Sequence, residues 1–250
     1  MQRMKLIVFL FVLCWNKCLA IDFCNMPECQ GVHHLGCENN LTFHESCLRT
    51  RILFNMQVYR DYLLKLHNKY REDVASGEIR GLAKASHMPE LIWHFKLALI
   101  AEYHVKRCLQ SLDYCMAVST FATPALNYGM NWLDIKSLPK YVPSTNSEKL
   151  TVQTEQWMHQ VYRLGLNIFD EEELNEIKNI LNDNNSYVGC AAAEDLDREA
   201  SRFVLICYYN NQREPSSPLY TAGTFSADKC VEGVSEDYPH LCKTLPDKFD

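Results

Sequence analysis

The chain has 250 residues, of which 47% are hydrophobic, and this content supports a folded core rather than a disordered chain. Its formal net charge is −6, which excludes a typical nucleic-acid-binding protein, because such a protein needs a basic surface to displace counterions from phosphate. No repeat or linker divides the sequence, and its length suits one large domain.

The first twenty residues have the order of a secretory signal peptide. Basic residues Arg3 and Lys5 precede an apolar run over residues 6–14, and the segment ends at the small residue Ala20. A membrane anchor is the alternative, but a span needs about 20 apolar residues, roughly twice the length of this run. We therefore expect residues 1–20 to be removed and the mature chain to be secreted, with no later segment crossing a membrane.

Removal of the signal peptide leaves ten of the twelve cysteines. It also removes three of the 25 basic residues and no acidic residue, so 22 basic residues face 31 acidic residues and the net charge becomes −9. An even cysteine count in an exported chain predicts five disulfides. A metal site would instead need close cysteine pairs, whereas the closest pair, Cys24 and Cys29, is separated by four residues.

Residues 21–54 hold four cysteines, several histidines and no helical period, which predicts a cysteine-rich N-terminal loop region. Residues 55–210 are then expected to form the core of the domain, and residues 211–250 a turn-rich C-terminal extension. Asn40 and Asn184 each begin an Asn-x-Ser/Thr sequon. Both are predicted glycosylation sites, because the chain is exported.

Four segments predict helices. Apolar residues recur at spacings of three to five over residues 55–77, which end in a glycine. A second, largely apolar helix is expected over residues 89–108, with Pro89 in its first turn. Two more are expected at residues 148–164 and 170–182, and the last begins with acidic residues, which favour the positive end of a helix dipole.

Strand signals are concentrated late in the chain. Residues 187–192 and 203–209 are short apolar runs, and the mostly charged residues between them indicate a hairpin. Residues 128–131 are a weaker third strand. Helices and strands that follow one another without a linker predict one α+β domain.

The order of these pieces resembles one known family, the CAP superfamily of cysteine-rich secretory, antigen 5 and pathogenesis-related proteins. The similar segments are the run from His67 to Ala75, Leu91-Ile92-Trp93, Leu97-Ala98, Cys108 and Cys115, Trp157, Val188-Gly189-Cys190-Ala191 and Leu205-Ile206-Cys207-Tyr208-Tyr209. The cysteine order is most similar to that of the insect antigen 5 branch. The resemblance implies a disulfide-stapled three-layer α-β-α sandwich.

The same resemblance implies how the cysteines pair. The expected disulfides join Cys24 to Cys37, Cys29 to Cys115, Cys47 to Cys108, and Cys190 to Cys207. Cys230 and Cys242 remain and are expected to pair with each other. The pair Cys190 and Cys207 has separate support, because it would cross-link two neighbouring antiparallel strands.

Many members of that family carry two histidines and two glutamates around a central cleft, a set that can hold a divalent metal ion. At the corresponding positions this sequence has Leu112, Met130, Gln160 and Glu176. Leu112 offers no donor atom, and Met130 offers only a thioether. Gln160 has an uncharged oxygen, which leaves Glu176 as the sole strong ligand. We therefore expect a degenerate cleft with no metal ion and no cofactor.

Other catalytic arrangements are also missing from the sequence. No Gly-x-Ser-x-Gly motif indicates a serine hydrolase, and five disulfides would leave no thiol for a cysteine enzyme. His104 and His159 are single histidines on predicted helices, which are more often structural than metal-binding. His67, Asn68 and Arg71 belong to a pattern that members of the similar family share, and the resemblance implies that they form a structural polar network. We expect no enzymatic activity, and a metal-dependent hydrolase is the least favoured alternative.

Two binding functions remain. The first is an extracellular protein-binding module, with residues 132–147 and 170–185 as variable surfaces on a cross-linked frame. The second, which the family resemblance allows, is an extracellular carrier of sterol or fatty acid, since Leu112 and Met130 would make the central cleft more apolar. We expect the protein-binding module, as a monomer, in a venom, salivary or reproductive secretion.

Overall fold

The computed structural model describes residues 21–48, 51–108, 113–134, 145–166, 174–196, 200–214 and 217–247, so the predicted signal peptide lies outside the described chain. Two short 3-10 turns, Phe23–Asn25 and Pro27–Cys29, come first. The helices are α1 (Met56–Ala75), α2 (Phe95–Arg107), α3 (Asn146–Met158), α4 (Gln160–Gly165) and α5 (Asn175–Leu181). The strands are β1 (Arg51–Leu53), β2 (Ala85–His87), β3 (Ile92–Trp93), β4 (Ala125–Asp134), β5 (Tyr187–Leu196), β6 (Ala200–Tyr209) and β7 (Thr221–Ala222).

The two long strands β5 and β6 form an antiparallel hairpin in the middle of the main sheet, as the sequence predicts. The order of the sheet is β1-β5-β6-β4, and β3 runs parallel to β5. The weak strand predicted at residues 128–131 is the ten-residue β4, which is antiparallel to β6. β2 and β7 pair separately. No helix in the described ranges is long and apolar enough to span a membrane.

Alternate side chains of the hairpin point to opposite faces of the sheet. On one face, Val188, Cys190 and Leu205 pack with apolar residues of α1, α3 and α5. On the other face, Ala191 and Ile206 pack against α2. The fold is therefore the expected α+β type, a three-layer α-β-α sandwich with the sheet between two layers of helices.

The second predicted helix starts later than expected, so its predicted start at Pro89 is wrong. Residues 92–93 form strand β3 instead, and α2 begins after it. The side chain of Asn68 donates to Leu91 O and accepts from Leu91 N, both at 2.8 Å, which holds this segment extended. Main-chain pairing with β5 then outweighs the local helix preference.

Two other helix predictions also need correction. The single helix predicted over residues 148–164 is two helices, because α3 ends at Met158 and α4 begins at Gln160. The helix predicted over residues 170–182 is the shorter α5, and residues 170–173 lie outside the described chain.

Helix α3 begins with a capping box. Thr145 Oγ1 accepts from Glu148 N at 3.2 Å, and Glu148 Oε2 accepts from Thr145 N at 2.9 Å. We expect Thr145→Ala to lower the free energy of unfolding by about 1 kcal/mol, because the substitution removes the acceptor of a helix amide. Thr145→Ser keeps the hydroxyl and should cost much less. Chemical denaturation measures both values, and an equal loss in the two variants would contradict this role.

Five disulfides cross-link the described chain, in the same pairs that the family resemblance implies. They join Cys24 to Cys37, Cys29 to Cys115, Cys47 to Cys108, Cys190 to Cys207 and Cys230 to Cys242. The second and third attach the N-terminal region to the end of α2 and the segment that follows it. The fourth joins β5 to β6, and the fifth closes a loop near the C-terminus.

The C-terminal extension is built into the domain rather than standing apart from it. Strand β7 pairs with β2. Cys242 N donates to Met88 O at 2.8 Å, and Cys242 O accepts from Glu90 N at 2.9 Å. Leu241 is fully buried. The C-terminal extension is therefore held against the folded domain by main-chain hydrogen bonds and by burial of Leu241.

Candidate functional site

Two of the predicted cleft positions lie together in the structure. Gln160 is the first residue of α4, and Glu176 lies in the first turn of α5. Gln160 Nε2 donates to Glu176 Oε2 at 3.2 Å, and Gln160 Oε1 accepts from Ile177 N at 3.2 Å. Gln160 thus ties α4 to α5. Leu112, the first of the four predicted positions, lies outside the described residues.

Met130 lies on the other face of the sheet. Its neighbour Gly129 faces α3, because a Cβ atom on Gly129 would lie 2.2 Å from the side chain of Gln153, and successive side chains of a strand alternate. Met130 also lies opposite Val204, which packs with α2. Met130 therefore lies on the face of the sheet toward α2, whereas Gln160 and Glu176 lie on helices of the other layer. The cleft formed by all four positions stays a prediction, because Leu112 is not among the described residues.

A buried polar network links α1 to strands β4 and β6. His67 is fully buried, and its Nδ1 donates to Leu63 O at 2.8 Å, which leaves Nε2 to accept from Tyr209 OH at 2.9 Å. Tyr209 OH accepts from Asn127 Nδ2 at 3.2 Å. Burial, assisted by the charge of Arg71, lowers the pKa of His67 to about 4. A histidine so enclosed holds the fold and cannot exchange a proton with a substrate.

Arg71 is the second member of the predicted polar network, and it is fully buried as well. Its guanidinium donates at 2.5 to 3.2 Å to four main-chain carbonyls, those of Pro89, Ile180, Asn182 and Asn185. Burial lowers its pKa to about 9. Because its donors are directed at main-chain carbonyls, Arg71 fastens α1 to the segments around β3 and after α5 and does not bind an anion.

His104 and His159 lie in different helical layers. His104 is buried on α2, where its Nδ1 lies 2.9 Å from Tyr208 OH, and burial lowers its pKa to about 4. His159 is exposed at the junction of α3 and α4, beside the ring of Tyr162. The two histidines cannot hold one metal ion together.

One group of three potential metal ligands occurs in the described chain, formed by Cys29, His34 and Cys115. Cys29 and Cys115 share a disulfide, so neither supplies a thiolate. His34 Nε2 lies 2.7 Å from Ala117 O, and this contact is a further tie in the N-terminal region. The group is structural, and the absence of a bound metal stays a prediction.

The surfaces and sequons predicted from the sequence are partly described. Asn40 and Asn184 are both exposed, and their glycosylation stays a prediction. Of the predicted variable surfaces, residues 135–144 and 170–173 lie outside the described chain.

A surface that sequence analysis missed lies on the C-terminal loop, residues 231–241, which the Cys230–Cys242 disulfide closes. Val231 is 90% exposed and Val234 is 44% exposed. The acidic residues of the loop are exposed too, and these are Glu232, Glu236 and Asp237. A short acidic segment with two valines between two cysteines is the sequence signal that could have indicated it.

A second candidate surface is an open groove of about 590 Å³ between the start of α1, the first turns of α2 and the edge of β5. Its lining is mostly apolar and includes Leu53, Phe54, Met56, Trp93, Phe95 and Leu99, with Arg60 and Glu102 among the polar residues. In the described chain the edge of β5 has no strand partner here over residues 189–191, because β3 pairs with it up to Val188 and Phe54 N donates to Ala192 O at 2.9 Å. No sequence pattern predicts this groove, since its walls come from separate elements.

Residues 64–209 match the model of the cysteine-rich secretory protein family, CAP. The chain is 23% identical over 235 residues to Venom allergen-1 of Aedes aegypti, covering 91% of this chain and 89% of that protein. It is 27% identical over 232 residues to Tabinhibitin 6 of Tabanus yao, covering 89% and 87%. Over 127 residues it is 32% identical to Antigen 5 like allergen Cul n 1 of Culicoides nubeculosus, covering 47% and 58%.

Solved structures with the same fold include BmVAL-1, with a TM-score of 0.57 and 14% identity, covering 80% of this chain and 100% of that chain. Another is the Hookworm Platelet Inhibitor, with a TM-score of 0.50 and 14% identity, covering 83% and 98%. At these identities the likeness concerns the fold alone.

Proposed function

The chain belongs to the cysteine-rich secretory protein (CAP) family, and from this premise we propose that it is a secreted, non-enzymatic module that binds another protein outside the cell. The names of similar proteins, Venom allergen-1 and Tabinhibitin 6, do not describe an enzyme. Five disulfides suit an extracellular environment, where thiols stay oxidised.

The observation that carries this proposal is the contrast between buried polar and exposed apolar side chains. His67 and Arg71, which could serve catalysis if they were accessible, are fully buried and bonded to the scaffold. Val231, in contrast, is 90% exposed on a loop that a disulfide closes. Function carried by loops on a rigid scaffold is the usual arrangement for binding proteins.

We place the contact on the C-terminal loop. The loop is anchored from inside, because the hydroxyl of Ser235 donates to Glu90 Oε2 at 2.6 Å. A loop that is already ordered loses little conformational entropy on binding. Its exposed carboxylates favour a partner with a basic surface, which would also accelerate encounter with this acidic chain.

Binding to an array of purified extracellular proteins, read by biolayer interferometry, tests this function. We expect Val231→Ser and Glu232→Lys each to weaken binding to the captured protein by about tenfold, which corresponds to about 1.4 kcal/mol. Val58→Ser is the matched control, because Val58 is 67% exposed on α1, and it should bind like the native protein. Unchanged affinity in both loop variants would show that the partner binds to another surface of the protein. The absence of any protein ligand would contradict the function itself.

The groove supports a second candidate, an extracellular carrier of sterol or fatty acid. Its volume falls in the usual range of small-molecule sites, and apolar residues dominate its lining. However, the groove is open, and Phe95 on its wall is already 52% exposed to solvent. An apolar ligand would therefore gain less burial there than in an enclosed cavity.

We expect labelled sterol and fatty acid to show no saturable binding at low micromolar concentration. If either ligand did bind tightly, Ala98→Trp should abolish the binding, because Ala98 lines the groove and a larger side chain would fill it. Val231→Ser should leave such binding unchanged. Tight, saturable binding that Ala98→Trp removes would make the carrier the better assignment.

A further inference from the structure

Strand β4 forms one end of the main sheet. It pairs with β6 over ten consecutive residues, from Ala125 to Asp134, without a change of register. No other strand of the described chain pairs with its opposite side. A strand in this position has a row of main-chain N–H and C=O groups that point away from the sheet.

The register identifies which residues carry these outward groups. Cys190 and Cys207 are directly opposite, with Cα atoms 4.1 Å apart, and this spacing is typical of a non-hydrogen-bonded pair. The main-chain groups of Cys207 therefore point to β4, where Asn127 lies opposite. It follows that Asn127 bonds inward to β6, whereas its strand neighbours Leu126 and Tyr128 point outward, and so does Met130.

The hydrogen bond from Asn179 agrees with this assignment. Asn179 Nδ2 on α5 donates to Leu126 O at 3.0 Å, so this carbonyl does point away from β6. Helix α5 thus covers the beginning of the edge. No strand of the described chain pairs with the outer side of the seven residues from Tyr128 to Asp134, and this stretch is longer than a typical strand of about 5–6 residues.

Apart from the cover by α5 at its beginning and Asp134 at its end, the edge lacks the sequence and register features by which monomeric proteins protect such strands. Natural edge strands are short, or carry charges, proline or a bulge. Residues 125–133 contain neither a charged residue nor a proline, and the pairing with β6 has no bulge. Tyr128 is 39% exposed and Met130 48% exposed on the face toward α2, which itself lies over β5 and β6.

We propose that β4 pairs with β4 of a second copy of this chain, antiparallel and about a twofold axis. A strand that pairs antiparallel with itself meets an identical pattern of donors and acceptors, so a second copy is complementary by symmetry. Residues 125–133 of the edge are uncharged, so two acidic chains can approach along this stretch without like charges in contact. Tyr128 and Met130 of both copies then lie on one face and form a continuous apolar strip. The two five-stranded sheets become one.

This dimer replaces the monomer expected from the sequence, and it does not depend on the proposed protein-binding function. Sedimentation velocity of the native, fully oxidised protein, from micromolar to hundreds of micromolar, should show a shift from monomer to dimer. Hydrogen exchange over the same range locates the contact. The amides of Tyr128 and Met130 should exchange more slowly as the concentration rises, whereas the amide of Asn127, bonded to β6, should be protected throughout.

Variants separate this edge from other apolar surfaces. Met130→Lys should leave the protein monomeric at every concentration, because a charge on an edge strand opposes pairing. Val231→Lys is the matched control, since Val231 is 90% exposed on the C-terminal loop, and it should dimerise like the native protein. If Met130→Lys does not fold, the exchange rates of the native protein decide the question. A native protein that stays monomeric overturns the proposal. So does a dimer in which Met130→Lys still associates or the Tyr128 amide stays unprotected.

Discussion

Between pH 7 and pH 4, the free energy of unfolding should fall by about 6 kcal/mol through two buried histidines alone, at about 3 kcal/mol each. His67 and His104 are neutral in the folded chain, and burial lowers the pKa of each to about 4. In the unfolded chain both return to the ordinary value of about 6.5. As the pH falls through this window, the unfolded chain takes up protons first, so acid favours unfolding.

Chemical denaturation at pH 7, 5.5 and 4, at constant ionic strength, measures this loss. His104→Gln removes one titrating ring, while its amide can still bond to the hydroxyl of Tyr208. The decrease between pH 7 and pH 4 should then be roughly half of the native one. If the free energy of unfolding of the native protein does not fall between pH 7 and pH 4, the prediction is wrong. If it falls equally in His104→Gln, protonation of His104 is not a cause of the loss.

Loss of the Arg71 guanidinium should destabilise the fold by about 4 kcal/mol at neutral pH. In Arg71→Met, four main-chain carbonyls that now accept from Arg71 lose that donor in a region without solvent access. A buried acceptor without a partner costs about 1–3 kcal/mol. Arg71→Lys should recover little of the loss, because a single ammonium group cannot reproduce the planar fork of donors.

The matched control for Arg71→Met is Lys69→Met on the same helix. The side chain of Lys69 is 65% exposed and its ion pair with Asp73 is 3.8 Å long, so its loss should cost less than about 0.5 kcal/mol. Urea denaturation of both variants gives the two values. Equal stabilities would show that Arg71 does not hold the segments together.

Local sequence patterns predict many of the helices and strands, but they fail where contacts with distant segments determine the secondary structure. The hairpin β5–β6 is predicted because two apolar runs flank a charged segment. The start of α2 is not predicted correctly, because Asn68, which is 23 residues away in the sequence, holds the segment at Leu91 extended. The three residues of β1 are too few to show alternation, and they become a strand only by pairing with β5.

The arrangement of the candidate site residues also depends on contacts between distant segments. That Gln160 and Glu176 would meet follows from family resemblance, and the structure brings them together through the contact of α4 with α5. Resemblance alone assigns Met130 to the same cleft, and the alternation of β4 shows on which face of the sheet its side chain lies. The exposure of Val231 depends on how the C-terminal loop is anchored, and composition does not reveal this.

The disulfide between Cys29 and Cys115, which spans 86 residues of sequence, has a consequence for survival among proteases. A single cleavage between Cys29 and Cys47 would release no fragment, since the upstream piece stays bound through Cys29. The same holds for a cut between Cys230 and Cys242, which are joined to each other. Exposed loops are the preferred sites of proteolytic nicking. In this chain, both cysteine-bounded regions would therefore stay attached to the domain after one such cut.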